Sequence, residues 1–419
     1  MAQIDLRYGR THIPFDYDPD RFEVLAPAAV SRPLTDVELG ERLDAPIASS
    51  KLEDIVEPGE SVLIVVPDAT RETGAGQIVN LLVRRLIANG TAPHDIRAIV
   101  ATGIHRKAAR AEKDQILTPF ITQRIKVLDH EAASILNRVS VGETSGGIKV
   151  ELNRALLEHD RVILVGVVNF HYFAGFTGGR KLVCPGLAGR STVAATHKLA
   201  FDCEMRDRRA GVGTGLLDGN AVHEAFVEAA SMVKVAFCVS TFVNDAGEVT
   251  DLYCGNLVES HRAACKAFAE SNTVRIAEKR DLVIASCGGD PHDLNMIQAH
   301  KTLEAASHAC RAGGTIIFLA ECRDGLGHDD FLDWFDAEDS SNLSEQLCEA
   351  YQVNGQTAWS LLKKAERFDV RLISSLPAEA AEKMRLTPMQ SLARAVSKSK
   401  KEGRGYILPS GSKINIVEG

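Results

Sequence analysis

Side chains suited to acid–base chemistry follow three short apolar runs that are typical of β-strands. They are Asp68 and Arg71 after SVLIVV, His105 after IRAIVA, and His171 after RVILVGVV. The ligand crevice of an open α/β sheet lies beyond the carboxyl ends of its strands, so these positions are where chemistry is expected. Singly, such an Asp is more often a helix cap and such a His a structural residue. Together they indicate one site.

The two histidines of this set could act as a pair. If His105 and His171 face one substrate from opposite sides, one removes a proton while the other donates one. This arrangement suits racemisation or epimerisation. It also suits hydrolysis, so the pair by itself leaves the reaction open.

A glycine-rich run, HYFAGFTGGRK, begins at His171 and ends at Lys181. Its Gly178 and Gly179 could bring backbone amides close to an anion. It is not a phosphate-binding Walker A loop, because no Ser or Thr follows Lys181. Lys181 could be a solvated lysine, an anion ligand or a point of covalent attachment. Further on, His197 is a candidate metal ligand or a structural histidine.

The second half of the chain carries one more candidate anion site. The segment CGGDP (287–291) follows an apolar run and precedes a helical pattern, so its amides could hold an anion. On that helix Gln298 and Lys301 are three residues apart and share a face. That face is either solvated or turned towards the two histidines across a cleft between domains.

The elements that would position these residues alternate between β-branched runs and amphipathic segments, which is typical of α/β folds. We predict two α/β domains with an interdomain cleft, a larger N-terminal catalytic domain over 1–270 and a smaller C-terminal domain over 271–419 that closes the cleft. Strands are expected at 61–66, 96–101, 124–128, 161–168, 234–240, 281–286, 314–320 and 369–375. Helices are expected at 76–89, 149–159, 189–199, 220–230, 256–270, 292–308 and 342–366.

Composition excludes several classes of function. The 419 residues carry 48 Lys and Arg against 56 Asp and Glu, a net charge of -8 that lacks the basic excess of nucleic-acid-binding proteins. The amino terminus has no apolar signal segment, and no run approaches the length of a membrane span. We therefore expect no nucleic acid, no membrane and a cytoplasmic location. The nine cysteines include no C-x-x-C pair and are expected to be reduced.

Several of these motifs together resemble a known family. The runs VVPDATR, ATGIHR, NFHYFAGFTGGRK, DLNMIQAHK and AECRDGLG, with His197 between the third and fourth, are similar to the nickel-pincer nucleotide-dependent lactate racemases and stand in the same order. The resemblance covers about residues 10–375, and HYFAGFTGGRK is its most specific part.

The resemblance implies a role for each candidate residue. Lys181 would join the cofactor covalently, His197 would bind its nickel, and His105 and His171 would be the alternating acid and base. The remaining positions are cofactor-binding Asp68, Gly178, Gly179 and Gln298 and substrate-binding Arg71 and Lys301. The implied cofactor is the nickel-pincer nucleotide, a pyridinium-3-thioamide-5-thiocarboxylic acid mononucleotide with nickel.

The implied activity is that of a nickel-dependent isomerase, a racemase or epimerase of a 2-hydroxy carboxylate. The α-hydrogen would leave as hydride to the cofactor, since no side chain accepts hydride, and a 2-keto acid would be the intermediate. The implied partners are a small anionic substrate and the cofactor biosynthesis enzymes. Ile297 stands where the lactate enzymes have a tyrosine, so a longer or more apolar 2-hydroxy acid, or a sugar acid, is as plausible as lactate.

Two other functions remain open from the residues. One is a nicotinamide-dependent 2-hydroxy acid dehydrogenase, against which no G-x-G-x-x-G follows the first strand of the sheet. The other is a non-catalytic carrier of the pincer cofactor. A carrier would use Lys181 and His197 but has no need for both His105 and His171.

Overall fold

The structure, a computed structural model, describes residues 1–27, 32–399 and 403–419. The chain forms two compact units. The N-terminal unit comprises Val30–Ala200 and Ala210–Phe268, and the C-terminal unit comprises Met1–Ala29, Phe201–Arg209 and Ala269–Gly419. Each contains a largely parallel sheet with helices, so the predicted class of two α/β domains is confirmed.

The strands are β1 (Ala2–Tyr8), β2 (Thr11–Tyr17), β3 (Phe22–Val24), β4 (Val62–Pro67), β5 (Ile96–Ala101), β6 (Lys126–Asp129), β7 (Arg138–Glu143), β8 (Lys149–Asn153), β9 (Arg161–Val167), β10 (Phe170–His171), β11 (Gly175–Phe176), β12 (Phe201–Asp202), β13 (Asp207–Arg208), β14 (Val235–Val243), β15 (Val249–Gly255), β16 (Thr273–Ile276), β17 (Arg280–Ser286), β18 (Cys310–Leu319), β19 (Asp369–Ile373), β20 (Thr387–Pro388), β21 (Gly405–Leu408) and β22 (Asn415–Glu418).

The α-helices are α1 (Asp36–Leu43), α2 (Leu52–Ile55), α3 (Ala75–Ala88), α4 (Arg110–Leu117), α5 (Pro119–Thr122), α6 (Ala155–Glu158), α7 (Arg190–Lys198), α8 (Ala221–Ser231), α9 (Leu257–Asn272), α10 (Met296–Ala299), α11 (Thr302–Ala309), α12 (Ser340–Glu349), α13 (Val353–Arg367), α14 (Ala378–Lys383) and α15 (Leu392–Ser397).

The sheet of the N-terminal unit has the strand order β15-β14-β9-β4-β5-β6 and is parallel except for the β14–β15 pair. Every residue of β4 is buried, which explains its uninterrupted apolar sequence. Because β5 and β9 lie on opposite sides of β4, the direction in which successive strands are added to the sheet reverses at β4. A crevice for ligands is expected beyond the carboxyl end of β4 at such a switch point.

The sheet of the C-terminal unit has the order β20-β19-β18-β17-β21-β3, with all neighbouring strands parallel. Its edge strand β3 comes from the beginning of the chain and pairs with β21. The first residues therefore belong to the C-terminal unit. This differs from the expected division into 1–270 and 271–419, although the later boundary, between Phe268 and Ala269, lies within two residues of the expected one.

A short hairpin from the middle of the chain, β12–β13, also belongs to the C-terminal unit. Phe201 meets the ring of Trp359 edge-on, with ring centroids 5.0 Å apart. Arg208 and Lys364 both pair with the buried Glu304 carboxylate, at 2.5 and 2.8 Å. Burial alone would raise the pKa of Glu304, but the charges of Lys364 and Arg208 outweigh burial and lower it. Tertiary contacts of this kind are not visible in the sequence around residue 201.

The same hairpin corrects the expectation that all cysteines are reduced. Cys203 forms a disulfide with Cys348 of α12, whose Cα lies 5.6 Å away although 145 positions separate the two in sequence. The other cysteines are free and buried. The pairing follows from the docking of the hairpin on α12, which brings together two residues that no local motif connects.

Residues 149–159 also differ from expectation, since only Ala155–Glu158 is helical and Lys149–Asn153 is strand β8. Val150 and Leu152 are buried while Lys149 is exposed, so this part follows the period of two of a strand paired with β7.

Among the described residues, no helix is long and apolar enough to cross a membrane.

Candidate active site

The carboxyl ends of β4 and β5 bring Asp68 and His105 together. The His105 Nδ1 atom lies 2.7 Å from Asp68 Oδ2. The other carboxylate oxygen, Oδ1, accepts hydrogen bonds from the hydroxyl and backbone amide of Thr70, at 2.6 and 3.2 Å. Asp68 is buried whereas the His105 side chain is 41% exposed. A buried, fixed carboxylate thus orients an imidazole that remains accessible.

The charge of Asp68 determines which nitrogen of His105 carries a proton. Burial alone would raise the pKa of Asp68, but the charge of His105 and the hydrogen bonds from His105 and Thr70 outweigh it and lower the pKa to about 2. Asp68 is therefore ionised at neutral pH and can only accept hydrogen bonds. The proton of neutral His105 then lies on Nδ1, which leaves a lone pair on Nε2 that can accept a proton.

His171 has the opposite arrangement. Its Nδ1 atom accepts hydrogen bonds from the backbone amides of Phe173 and Ala174, at 3.4 and 3.3 Å. Because amide N–H groups only donate, Nδ1 carries a lone pair and the proton of the neutral ring lies on Nε2. The neutral His171 ring therefore presents an N–H group at Nε2, whereas the neutral His105 ring presents a lone pair at Nε2.

Aromatic side chains connect His171, Lys181 and His197. The Phe173 ring lies 4.4 Å from the ring of His171 and 5.1 Å from that of His197. The Lys181 Nζ atom lies 5.5 Å from the centroid of Phe173 and 5.6 Å from that of Phe226 on α8. The structure thus gathers three of the predicted site residues around two phenylalanines that the sequence had not indicated.

His197 lies on α7, where its imidazole is fixed in one orientation. The Nδ1 atom lies 2.8 Å from the backbone carbonyl of Val193, an acceptor, so Nδ1 carries the proton and Nε2 the lone pair. Burial, reinforced by the charge of Lys181, lowers the pKa of His197 to about 3, so the ring is neutral at pH 7. A neutral imidazole held through its second nitrogen is the usual form of a histidine metal ligand.

The glycines that precede Lys181 are required by the packing of this loop. Gly178 and Gly179 have φ angles of +77° and +50°, which disfavour other residues. A Cβ on Gly178 would lie 2.9 Å from the Val167 carbonyl, and one on Gly179 would lie 2.6 Å from the ring of His261. The backbone can therefore follow this path only with glycine at both positions.

Arg71 follows the Asp68 turn and lies in the same part of the N-terminal unit. Burial lowers its pKa, while the charge of Asp68 opposes this shift. In the described part of the chain, no carboxylate forms an ion pair with the Arg71 guanidinium. A partly desolvated arginine without a paired carboxylate favours binding of an anionic ligand.

Gln298 and Lys301 lie in the C-terminal unit, at α10 and directly after it. The Lys301 Nζ atom donates to Gln298 Oε1 at 2.5 Å, so the two share a face as predicted. The expected helix over 292–308 is divided here into α10 and α11. Ile297 is partly buried and packs against the hydrophobic core of this unit.

Three contributors to this site were not expected from the sequence: Thr70, Phe173 and Phe226. Thr70 and Phe173 stand inside the motifs that were singled out, whereas Phe226 lies on a helix that shows no local sign of a functional role.

Within 1–27, 32–399 and 403–419, no group of three or more His, Cys, Asp or Glu side chains is arranged to hold a metal ion.

Buried neutral histidines predict how stability depends on pH. Burial lowers the pKa of His130 to about 4 and that of His223 and His300 to about 3, against about 6.5 in the unfolded chain. Below pH 6.5 these histidines are protonated in the unfolded chain but stay neutral in the folded chain. The free energy of unfolding therefore decreases as the pH is lowered. The stabilisation is present above pH 6.5 and is lost on acidification towards pH 4.

We expect urea unfolding of the apoprotein to show this loss between pH 7.5 and 5.5, at roughly 1 kcal/mol per buried histidine. His130→Gln keeps an acceptor for Asn153 and a donor for the Ala188 carbonyl. It should reduce the pH dependence by about that amount. His94→Asn, at a residue whose side chain is 83% exposed, is the control. An identical pH dependence in wild type and His130→Gln would contradict the assignment.

Comparison with known proteins gives the family. Residues 8–208 match the model of the lactate racemase N-terminal domain, and residues 276–413 match that of the lactate racemase C-terminal domain. The chain belongs to the lactate racemase family. The N-terminal family domain runs through hairpin β12–β13, and the C-terminal one begins at the last residue of β16.

Individual relatives agree with the family match. The lactate racemase of Thermoanaerobacterium thermosaccharolyticum is 27% identical over 431 residues, covering 100% of this chain and 97% of the relative. That of Lactiplantibacillus plantarum is 31% identical over 352 residues, covering 83% and 81%. The lactate racemase apoprotein structure from T. thermosaccharolyticum has a TM-score of 0.90 at 26% identity and covers both chains fully. A Thermotoga maritima protein shares the fold, with a TM-score of 0.73 at 20% identity over 93% of this chain and all of its own.

Proposed function

We propose that this protein is a racemase or epimerase of a 2-hydroxy carboxylate that uses a nickel-pincer nucleotide covalently attached at Lys181. Membership of the lactate racemase family supports an isomerase. The observation that carries the proposal is that His105 and His171 are held with opposite protonation at Nε2, one by Asp68 and the other by backbone amides.

This arrangement supplies both proton transfers that the reaction needs. His105, with its lone pair on Nε2, would accept the proton of the substrate hydroxyl. His171 would enter this step as the imidazolium and give its Nε2 proton to the oxygen of the 2-keto acid after that intermediate has turned, which leaves a neutral ring. For the opposite enantiomer the same steps would run in reverse, with His171 as the neutral base and His105 as the imidazolium that returns the proton. Asp68 would stabilise the charge on His105 while that ring holds the extra proton.

The residues around Lys181 fit the proposed cofactor. His197 presents a neutral imidazole whose second nitrogen is bound to Val193, and imidazole suits nickel. The rings of Phe173 and Phe226 lie 5.5 and 5.6 Å from Lys181 Nζ, so aromatic surface adjoins the proposed attachment point. When bound, the nucleotide would take up the α-hydrogen of the substrate with its electron pair and return it. Cofactor-making enzymes are therefore proposed partners.

The substrate carboxylate would be bound by Arg71 and Lys301. Arg71 can form two parallel hydrogen bonds to a carboxylate, which fixes both its position and its orientation. Gln298, hydrogen-bonded to Lys301, is assigned to the cofactor together with Asp68, Gly178 and Gly179. For Asp68 this assignment comes in addition to its contact with His105.

Ile297 bears on which 2-hydroxy acid is used. Its aliphatic side chain contacts the apolar core of the C-terminal unit and offers no hydroxyl group. We propose that the substrate carries a bulkier or more apolar group than the methyl of lactate. Conversion of lactate at a higher kcat/KM than any larger 2-hydroxy acid would contradict this.

The test is the intact mass of the protein after co-expression with the cofactor-making enzymes and nickel, followed by a panel of chiral 2-hydroxy acids. We expect an adduct of mononucleotide mass on Lys181 and interconversion of at least one enantiomeric or epimeric pair. Absence of the adduct, while a known racemase from the same cells carries one, would refute the attachment. A loaded protein that converts no 2-hydroxy acid would favour the carrier, and oxidation coupled to free nicotinamide dinucleotide would favour the dehydrogenase.

A further inference from the structure

Arg180, the residue before Lys181, is a fully buried cation that the proposed reaction does not use. Its side chain is 2% exposed, and in the described part of the chain it forms no ion pair with a carboxylate. Burial lowers its pKa to about 10, so the guanidinium still carries its charge at neutral pH. Burial of a charge without a counter-charge is costly, so a neutral residue of similar size would be expected unless the donors have a task.

The donors of Arg180 bind the loop that joins His171 to Lys181. Nη2 donates to the Ala174 carbonyl at 2.8 Å, and Nη1 lies 3.4 Å from the Gly178 carbonyl. The amide of Ala174 in turn donates to His171 Nδ1, and the amide of Lys181 donates to the Gly178 carbonyl at 3.1 Å. Arg180 thus binds the carbonyls of Ala174 and Gly178, and the same two residues form hydrogen bonds with His171 Nδ1 and with the Lys181 amide.

The imidazole of His261, on α9, supports this arrangement from the other side of the loop. Its Nε2 atom lies 3.0 Å from Arg180 Nη1, and its Cδ2 atom lies 2.6 Å from the position that a Cβ on Gly179 would take. Burial, followed by the charge of Arg180, lowers the pKa of His261 far below its usual value, so the ring is neutral. The same Nε2 atom lies 2.9 Å from the Thr177 carbonyl oxygen, so His261 contacts both Arg180 and the backbone of the loop.

We propose that Arg180 is a positioning residue that fixes the distance and orientation between the acid–base residue His171 and the cofactor lysine Lys181, with His261 as its support. The proposal rests on the function proposed above, because it assigns both ends of the loop a part in one reaction. A planar, multiply donating guanidinium can bind carbonyls in two directions at once, whereas a lysine ammonium on a flexible stem does not reproduce this geometry.

The experiment compares Arg180→Lys with wild type, after loading with cofactor and nickel as above. Arg190→Lys, at an exposed arginine that begins α7, is the matched control. We expect Arg180→Lys to keep the covalent adduct and a KM within about threefold, and to lose kcat on the order of 10²-fold, since misplacement of a reacting group costs about that much. A purely structural role would lower thermal stability and adduct yield without separating kcat from KM.

A second measurement does not depend on activity. In the apoprotein, hydrogen exchange of the amides in 173–181 should be at least about tenfold faster in Arg180→Lys and unchanged in Arg190→Lys, because the loop loses its internal hydrogen bonds. A kcat within twofold of wild type together with unchanged exchange would overturn the proposal.

His261→Gln keeps the proposal testable if Arg180→Lys does not fold. This variant retains a polar side chain next to Arg180 but removes the ring beneath Gly179, so exchange in 173–181 should rise and kcat should fall while the adduct still forms. Wild-type behaviour of His261→Gln, or failure of both variants to fold, would overturn a positioning role. A wild-type protein without adduct would refute the proposed function instead, and the exchange measurements would still show whether Arg180 holds the loop.

Discussion

Lys181→Ala is expected to remove the covalent cofactor and, with it, all detectable interconversion of 2-hydroxy acids. We expect no other side chain to take over the attachment, because the rings of Phe173 and Phe226 lie beside Lys181 Nζ. Hydride uptake requires the cofactor, so the loss of rate should be complete rather than graded. Intact mass and peptide mapping measure the adduct, and chiral chromatography measures turnover.

The control for this variant is Lys198→Ala, which removes an exposed lysine next to His197. It should retain both the adduct and the activity. An unchanged adduct mass in Lys181→Ala would refute the attachment. Activity without an adduct would show that the cofactor binds non-covalently and that Lys181 has another role.

His105→Asn and His171→Asn are each expected to reduce kcat by roughly 10²- to 10⁴-fold, the usual contribution of a general acid or base. Each conversion needs one proton removed and one returned, so either substitution should block both directions. Since enantiomers have equal free energy, kcat/KM must fall by the same factor for both. The adduct and bound nickel should remain, because neither histidine is assigned to attachment or to the metal.

His94→Asn is the control for these variants, at a histidine whose side chain is 83% exposed. Asp68→Asn is an informative companion, because it preserves shape but removes the charge that orients His105. We expect it to lose on the order of 10²-fold in kcat without loss of nickel. Wild-type turnover in either histidine variant would contradict the paired acid–base assignment, and loss of nickel in either one would indicate a structural role.

Much of the fold follows from local patterns in the sequence. The run IRAIVA forms strand β5 with the expected bounds, and the helix expected over 76–89 is observed at Ala75–Ala88. Fully buried parallel strands need uninterrupted apolar residues, so their positions can be recognised without tertiary information. For the same reason the residues that follow these strands can be recognised as candidates from the amino-acid sequence alone.

Local patterns were less informative where pairing partners are distant in sequence. The chain over Lys149–Asn153 becomes a strand because β7 lies beside it, and the cysteines at 203 and 348 meet because a hairpin docks on α12. The first residues of the chain join the C-terminal unit through the pairing of β3 with β21. Each of these outcomes depends on a contact between segments far apart, which propensity and periodicity do not encode.

The sequence by itself determined which side chains are available for chemistry, namely the Asp and His residues that follow buried strands and the lysine that ends a glycine-rich run. Only the tertiary structure decided which nitrogen of each of these histidines carries the proton. The protons of His105 and His171 are directed by an ionised carboxylate in one case and by two backbone amides in the other. The same residue type therefore serves as acceptor and as donor, because the position of an imidazole proton depends on hydrogen-bond partners that are set by folding.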